Sequence, residues 1–303
     1  MKEFSIIIPV FNSESCLQDS VSAVTIAMES FNENYEIILV DDGSKDKSWE
    51  IIKQLKSINP KIIGVKLNKN YGQHNAILCG LNISCGNYIV TLDDDLEQNP
   101  EDISKLYKQL VAAEADLVYG MPEKSKKSIL RKILRYFYKH GTRNENKNAG
   151  EGSSFRLFNK KLKDEMTQHQ GSLFFLDEIA LWYTGKPEYI KVDFQKSKKI
   201  NSGYTYSSLF DLSLRIVTLS STMPLRMLRV VGLYIFGLSL FSGSYFIIRK
   251  FLFKVPLGYT SLMVVILFST GIITLTLGVI GEYLGNLIAL SNNRPAYSVK
   301  EKV

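Results

Sequence analysis

Five short apolar runs, FSIIIPV, YEIILVD, KIIGVKL, NYIVTLD and DLVYG, punctuate the first 120 residues at near-regular spacing. Their apolar residues are almost continuous, as in strands that are covered on both faces. The segments between them, 14–30, 46–57, 73–83 and 101–113, read as helices. Strands alternating with helices in this way give a parallel sheet with helices on both sides. The expectation is a doubly wound α/β domain.

Polar residues collect where those strands end. Pro9 to Asn12 close the first, Asp41 and Asp42 the second, and Asp93, Asp94 and Asp95 the fourth. In an open parallel sheet ligands bind outside the carboxyl ends of the strands, so all three groups point at one crevice. Three adjacent carboxylates repel one another and need solvent or a partner. A helix cap does not account for them, because the next helix has its own start: Asn99 as N-cap, Pro100 at the first position, then Glu101 and Asp102. Asp93 and Asp95, one residue apart, have the chemistry to hold a hard divalent cation such as Mg²⁺ or Mn²⁺. That spacing is weak by itself, and VDDGSKD reads equally as a tight turn in which Ser44 or Asp46 caps a helix.

Charge nearly vanishes after about residue 223. Neither 230–248 nor 255–281 contains Asp, Glu, Lys or Arg, and each exceeds the roughly 18 apolar residues that span a bilayer. Two spans are expected, about 230–250 and 255–281, preceded by an interfacial amphipathic segment over 205–229. An even number of spans leaves both ends of the chain on one side. The basic residues on either side of the pair, weighed against Arg249, Lys250 and Lys254 between the spans, weakly favour the cytoplasm. No cleavable leader is visible, because the first apolar run is short and broken by Pro9. Cys16, Cys79 and Cys85 show neither metal nor redox spacing and read as small buried residues. The net charge of +7 fits a membrane surface or phosphate-bearing ligands, not nucleic acid in particular. The basic helix pattern around Ile129, Ile133 and Leu134 reads either as amphipathic or as an ordinary solvated face.

The ordered set IIIPVFN, VDDGSKD, NKNYGQHNAILCGL and GNYIVTLDDDLEQNPE resembles the family 2 glycosyltransferases of the GT-A fold. The later pieces SSFRLF, LDEIALWYTG, SGYTY and PLR, then two spans and GEYLG with RPAY, resemble the membrane-anchored branch that loads a sugar onto a polyprenyl phosphate, relatives of dolichol-phosphate mannosyltransferase included. The resemblance implies a Rossmann-like, mostly parallel GT-A domain over 1–204, the segment 205–229, two membrane helices within 230–290 and a cytoplasmic tail 291–303. It implies an integral protein of the inner or plasma membrane, with the catalytic domain and both termini cytoplasmic. Its reaction would be inverting transfer of one sugar from a nucleotide-sugar, UDP-linked in most of the family, to undecaprenyl phosphate. Homo-oligomers formed through the membrane segments also occur in this branch.

Carried over by position, Pro9, Asn12, Glu14, Asp42, Gln73, Asp93 and Asp94 would bind the nucleotide-sugar. Asp93, Asp95 and Glu97 would hold the metal, with Glu97 standing where the family usually has Gln. Arg156, Lys124 and Lys198 would bind phosphate of donor or acceptor, and Asp95, Asp177 and Glu178 are the catalytic candidates. Two family arginines are missing: Pro122, with Lys124 nearby, stands near one position and Ser197 at the other, between Lys196 and Lys198. Lysine supplies charge without the bidentate fork of arginine. Two other readings remain: a transferase with a different lipid or glycan acceptor, and a membrane protein that binds nucleotide-sugar without turnover. Processive synthesis is disfavoured, since neither Trp49 nor Trp182 follows an arginine.

Overall fold

The computed structural model describes residues 2–31, 33–122, 153–168, 176–195, 259–291 and 295–303, with Tyr234 and Leu252. They fall into two compact units. One comprises Met1–Lys126, Glu151–Gly203 and Asn293–Val303, and the other Lys127–Gly150 and Tyr204–Asn292.

Among the described residues, the first unit is built on an eight-stranded sheet. In chain order it contains β1 (Phe4–Val10), α1 (Leu17–Ser30), β2 (Tyr35–Asp41), α2 (Ser48–Ile58), β3 (Ile62–Leu67), α3 (Gln73–Ile83) and β4 (Tyr88–Thr91). There follow a 3-10 turn (Pro100–Asp102), α4 (Ile103–Ala112), β5 (Leu117–Pro122), β6 (Arg156–Asn159), α5 (Lys160–Thr167), α6 (Leu176–Tyr183), β7 (Pro187–Val192) and β8 (Val299–Lys302). The sheet order is β7-β5-β6-β4-β1-β2-β3-β8. β1 runs parallel to β2 and β4, β2 to β3, and β5 to β7. β6 is antiparallel to both β4 and β5, and β8 is antiparallel to β3.

The alternation of side chains along a strand explains why the runs are apolar throughout. Ile6 and Ile8 of β1 face α1, α2 and α4, packing with Leu17, Val24, Trp49, Ile52 and Leu106. Ile7 points the other way, into a second core with Ile77, Cys79, Leu81, Leu162 and Ile179 from α3, α5 and α6. The expected doubly wound α/β architecture is therefore present. The helix at 101–113 starts as foreseen, with the Asn99 side chain accepting from Glu101 N at 3.2 Å and Pro100 at the first position.

The insertion of β6 between β4 and β5 was not foreseen, nor was a strand in the tail 291–303. SSFRLF enters the sheet antiparallel through the register Thr91↔Arg156 and Tyr119↔Arg156. A short run of this kind carries no local mark of its pairing partner.

In the second unit the described structure is mainly one helix, α7 (Tyr259–Ser291), unbroken for 33 residues and about 50 Å long. Counting only the described residues, no helix is long and apolar enough to cross a membrane, and only part of α7's side chains belong to that set. The interfacial segment 205–229 lies outside the described residues, as does the first expected span except for Tyr234.

Gly80 of α3 lets that helix sit directly on β1, since a Cβ there would fall 2.5 Å from Ile7 Cγ2. Replacing Gly80 with Ala should overpack this contact and cost about 1–3 kcal/mol, read as a lowered thermal midpoint. Substituting Gly278, where a Cβ would meet no atom of the described residues, is the control.

Candidate active site

Because β1, β2, β3 and β4 are parallel, their carboxyl ends share one edge of the sheet, and the polar loops that follow lie side by side. Asp93 is at the centre. Its Oδ1 accepts from Gln73 Nε2 at 2.6 Å, and its Oδ2 accepts from Gln98 Nε2 at 3.0 Å and from the Ser154 hydroxyl. Its own N–H donates to Gln98 Oε1 at 2.8 Å. Burial pushes the Asp93 carboxyl up, Asp95 and Asp94 push the same way, and the bonds from Ser154 and Gln98 only partly offset them.

Its neighbours point elsewhere. Asp94 is buried, its Oδ2 accepting from Phe11 N at 3.3 Å and from the Ser13 hydroxyl. Its carbonyl accepts from Ser20 Oγ at 2.9 Å and from Cys16 Sγ. Asp94 thus binds its loop to the start of α1, which differs from the ligand contact expected of it. Asp95 Oδ1 accepts from Glu97 N at 3.0 Å, across Leu96, whose φ of 62° bends the loop back. Burial raises the Glu97 pKa, and Asp95 and Asp93 raise it further.

Among the described residues no three His, Cys, Asp or Glu side chains converge into a preassembled cation cage. Asp93, Asp95 and Glu97 nevertheless feel one another, as the raised pKa values of Asp93 and Glu97 record. A divalent ion between them would reverse those shifts, so the donor chemistry fits a hard cation.

At the end of β2, Asp42 accepts from Tyr71 N at 2.7 Å and Gly72 N at 2.8 Å. Burial lifts its pKa to about 6 against the pull of those two bonds, with Asp41 adding to the rise. Asp41 accepts from Ser44 N at 2.9 Å and has Lys66 Nζ at 3.7 Å. Gly43, at φ 72°, brings this turn onto the next loop: a Cβ there would lie 2.6 Å from Lys69 C.

Asn12 and Glu14 are engaged in loop-to-loop bonds. Asn12 Oδ1 accepts from Lys45 N at 2.9 Å, and Glu14 Oε2 from Lys47 N at 3.0 Å. Glu14 N donates in return to Asp46 Oδ2 at 3.0 Å. Pro9 is buried inside β1, beyond the last β1–β4 pair, Ile7↔Thr91, where a central strand tolerates a missing donor. Pro9, Asn12 and Glu14 therefore shape the loops around the crevice.

A second cluster involves Arg156 and Asp177. The Arg156 guanidinium is 2% exposed and ion-paired to Asp177 Oδ1, which also accepts from Tyr119 Oη at 3.0 Å. Arg156 Nε is buried with no hydrogen-bond partner among the described residues. His74 Nδ1 accepts from Leu176 N at 3.4 Å. Burial and the Arg156 charge lower the His74 pKa, so it stays neutral and Nε2 carries its proton. Asp177, expected as a catalytic group, is here the counter-ion of Arg156. Lys124, Lys198 and the side chain of Glu178 lie outside the described residues.

The sequence did not single out Gln98, Ser13, Tyr119, His74 or Ser154 for a role. Gln98, five residues beyond Asp93 and 3% exposed, could have been noticed as a polar side chain buried within an acidic loop.

Residues 5–175 match the family described as Glycosyl transferase family 2, more than half of the chain. The chain belongs to glycosyltransferase family 2. Residues 223–287 match the GtrB C-terminal hairpin. Among curated relatives, this family 2 chain is 30% identical to an undecaprenyl-phosphate 4-deoxy-4-formamido-L-arabinose transferase of Aeromonas hydrophila, over 100% of this chain and 94% of the relative. It is 29% identical to a bactoprenol glucosyl transferase of Shigella phage SfV, covering 99% of each. Among solved structures, a glucosyl-3-phosphoglycerate synthase from Mycobacterium tuberculosis, in complex with Mn²⁺, UDP-glucose and phosphoglyceric acid, aligns with a TM-score of 0.51 and 15% identity. That alignment covers 72% of this chain and 78% of the other, and it shows a shared fold. The family and the α/β GT-A fold expected from the sequence are both borne out, and the protein is a glycosyltransferase.

Two outcomes follow from this geometry. Below its native pKa of about 6 Asp42 takes up a proton more readily folded than unfolded, where its value is 3.8. The folded state therefore loses stability as pH rises from about 4 to 6, by up to about 3 kcal/mol, and levels off above. Unfolding of wild type and Asp42→Asn across that range should differ by this slope. Secondly, Asp177→Ala strands the buried Arg156 charge and should cost about 3 kcal/mol. Asp177→Ala combined with Arg156→Met should recover much of that loss, measured by denaturant unfolding.

Proposed function

We propose that this protein transfers a single sugar from a nucleotide-sugar, UDP-linked, to a polyprenyl phosphate, undecaprenyl phosphate in a bacterium. The product is a lipid-linked sugar that serves as donor for cell-surface glycans. Full-length similarity to undecaprenyl-phosphate and bactoprenol sugar transferases supports the acceptor class. The observation that carries the reading is Asp93, pinned by Gln73, Gln98 and Ser154 at the strand-end crevice of a family 2 fold.

In this reading Asp93, Asp95 and Glu97 hold Mg²⁺ or Mn²⁺. The bound ion supplies charge neutralisation to the departing diphosphate. Asp42 and the Tyr71–Gly72 turn flank the base and ribose, while Gln73 orients the sugar against Asp93. The acceptor phosphate oxygen forms the new bond to the anomeric carbon from the face opposite the leaving diphosphate, so the configuration inverts. Such an oxygen is already anionic near neutral pH and needs no strong base. The engagement of Asp177 with Arg156 and Tyr119 agrees with that economy, since it leaves Asp177 poorly placed to accept a proton.

An acceptor carried on a lipid requires the site at a bilayer. The apolar runs 230–248 and 255–281 and the match of 223–287 to a C-terminal hairpin support two membrane helices. The proposed location is the inner membrane, with the catalytic unit and both termini cytoplasmic and a homo-oligomer compatible with this arrangement. Lys124 and Lys198 remain candidates for phosphate binding.

The test is transfer of labelled sugar from a panel of nucleotide-sugars to undecaprenyl phosphate in detergent. Lipid-linked product should form with Mn²⁺ or Mg²⁺, vanish with EDTA and fall by about 10²–10³-fold in Asp95→Ala. Product that persists undiminished in Asp95→Ala would refute the assignment.

A further inference from the structure

The last residues of the chain do more than trail behind α7. β8 pairs antiparallel with β3, and Val303 exchanges backbone bonds with Gly64 at 2.9 and 3.0 Å. Val303 packs against the first core, and Ala296 and Tyr297 pack against the second, so the tail is anchored on both faces of the sheet. Trp49 Nε1 of α2 donates to Glu301 Oε2 at 3.1 Å.

The pairing is not uniform. Its register shifts between Lys66 and Leu67, where β3 approaches the crevice. Just beyond, Ser298 takes hold of Asn68 twice: Asn68 N donates to Ser298 O at 2.9 Å, and Asn68 Nδ2 to Ser298 Oγ at 2.7 Å. Asn68 opens the loop that packs on Gly43 through Lys69 and Asn70 and then gives the Tyr71 and Gly72 amides to Asp42. Four residues separate the Ser298 contact from the first residue of α3, Gln73, which binds Asp93. Irregular pairing at a sheet edge commonly re-aims the residues that follow it.

We propose that the C-terminal strand is a positioning element of the nucleotide-sugar site, with Ser298 fixing Asn68 and thereby the 69–72 turn that holds Asp42. The proposal rests on the transferase reading given above. Ser298 and Asn68 touch no substrate; they act through the turn. Their loss leaves the Tyr71 and Gly72 amides free to leave Asp42, which weakens donor binding while acceptor binding is retained.

The experiment uses the full-length protein in detergent and compares wild type, Ser298→Ala, Asn68→Ala and a control, Glu301→Ala, which removes only the Trp49 contact. Amide hydrogen exchange across 69–72, UDP affinity with Mn²⁺, and KM for donor and for undecaprenyl phosphate are measured. Ser298→Ala and Asn68→Ala should speed exchange at 69–72 and weaken UDP binding and donor KM roughly 5–30-fold. KM for the lipid should stay within about twofold. Equal shifts in Glu301→Ala would reduce the tail to general support of the sheet and overturn the proposal. Unchanged exchange or donor KM in an active enzyme would also overturn it, leaving the transferase reading intact. A wild type that binds no nucleotide and transfers no sugar would instead sink the transferase reading, and the proposal with it.

Discussion

A half-buried carboxylate beside two acidic neighbours has to be satisfied, and Asp93 is satisfied by side chains from three separate parts of the chain. Gln73 comes from the start of α3, Gln98 from the far side of its own loop, and Ser154 from the entry to β6. Partial burial and the charges of Asp94 and Asp95 disfavour the ionised form, and the convergence of these donors offsets that cost. The antiparallel insertion of β6 beside β4 acquires a reason here. It delivers Ser154 to Asp93, and Thr91 Oγ1 holds the Ser154 carbonyl at 2.7 Å.

The same strand joins the two polar clusters. Ser154 meets the acidic loop, and two residues later Arg156 is buried against Asp177, Tyr119 and the neighbourhood of His74. Displacing β6 would disturb both at once. Around them the loops hold one another through backbone donors and side-chain oxygen acceptors: Asn12 to Lys45, Glu14 to Lys47, Asp42 to Tyr71 and Gly72. Each bond contributes only about 1 kcal/mol, but a set spanning three loops limits how far any one can drift. A transferase that gains rate from preorganised charge depends on that limit.

Several side chains expected as ligand or catalytic contacts are engaged with neighbouring parts of the fold. Asp94 looks, in the sequence, like the middle member of an acidic triplet. In the fold a loop bent at Leu96 aims Asp94 inward, at Phe11 N and Ser13, between two carboxylates with other partners. Asp177 has the look of a base and the surroundings of a counter-ion. Both distinctions depend on what lies across a gap of more than twenty residues in the chain, and local pattern does not record that.

The sequence by itself determined the alternation of strand and helix, the parallel core from β1 to β4, the family, and the gathering of acids at one edge of the sheet. Those follow from hydrophobic period and from the rule that parallel strands end on the same side, both local or topological properties. Tertiary structure alone decided that β6 enters between β4 and β5 and that β8 returns to β3 at the opposite edge. It also decided which carboxylates are tied down and that Ser298 holds Asn68. Hydrogen-bond partners are chosen by proximity after folding, and a short strand carries no mark of the neighbour it will meet.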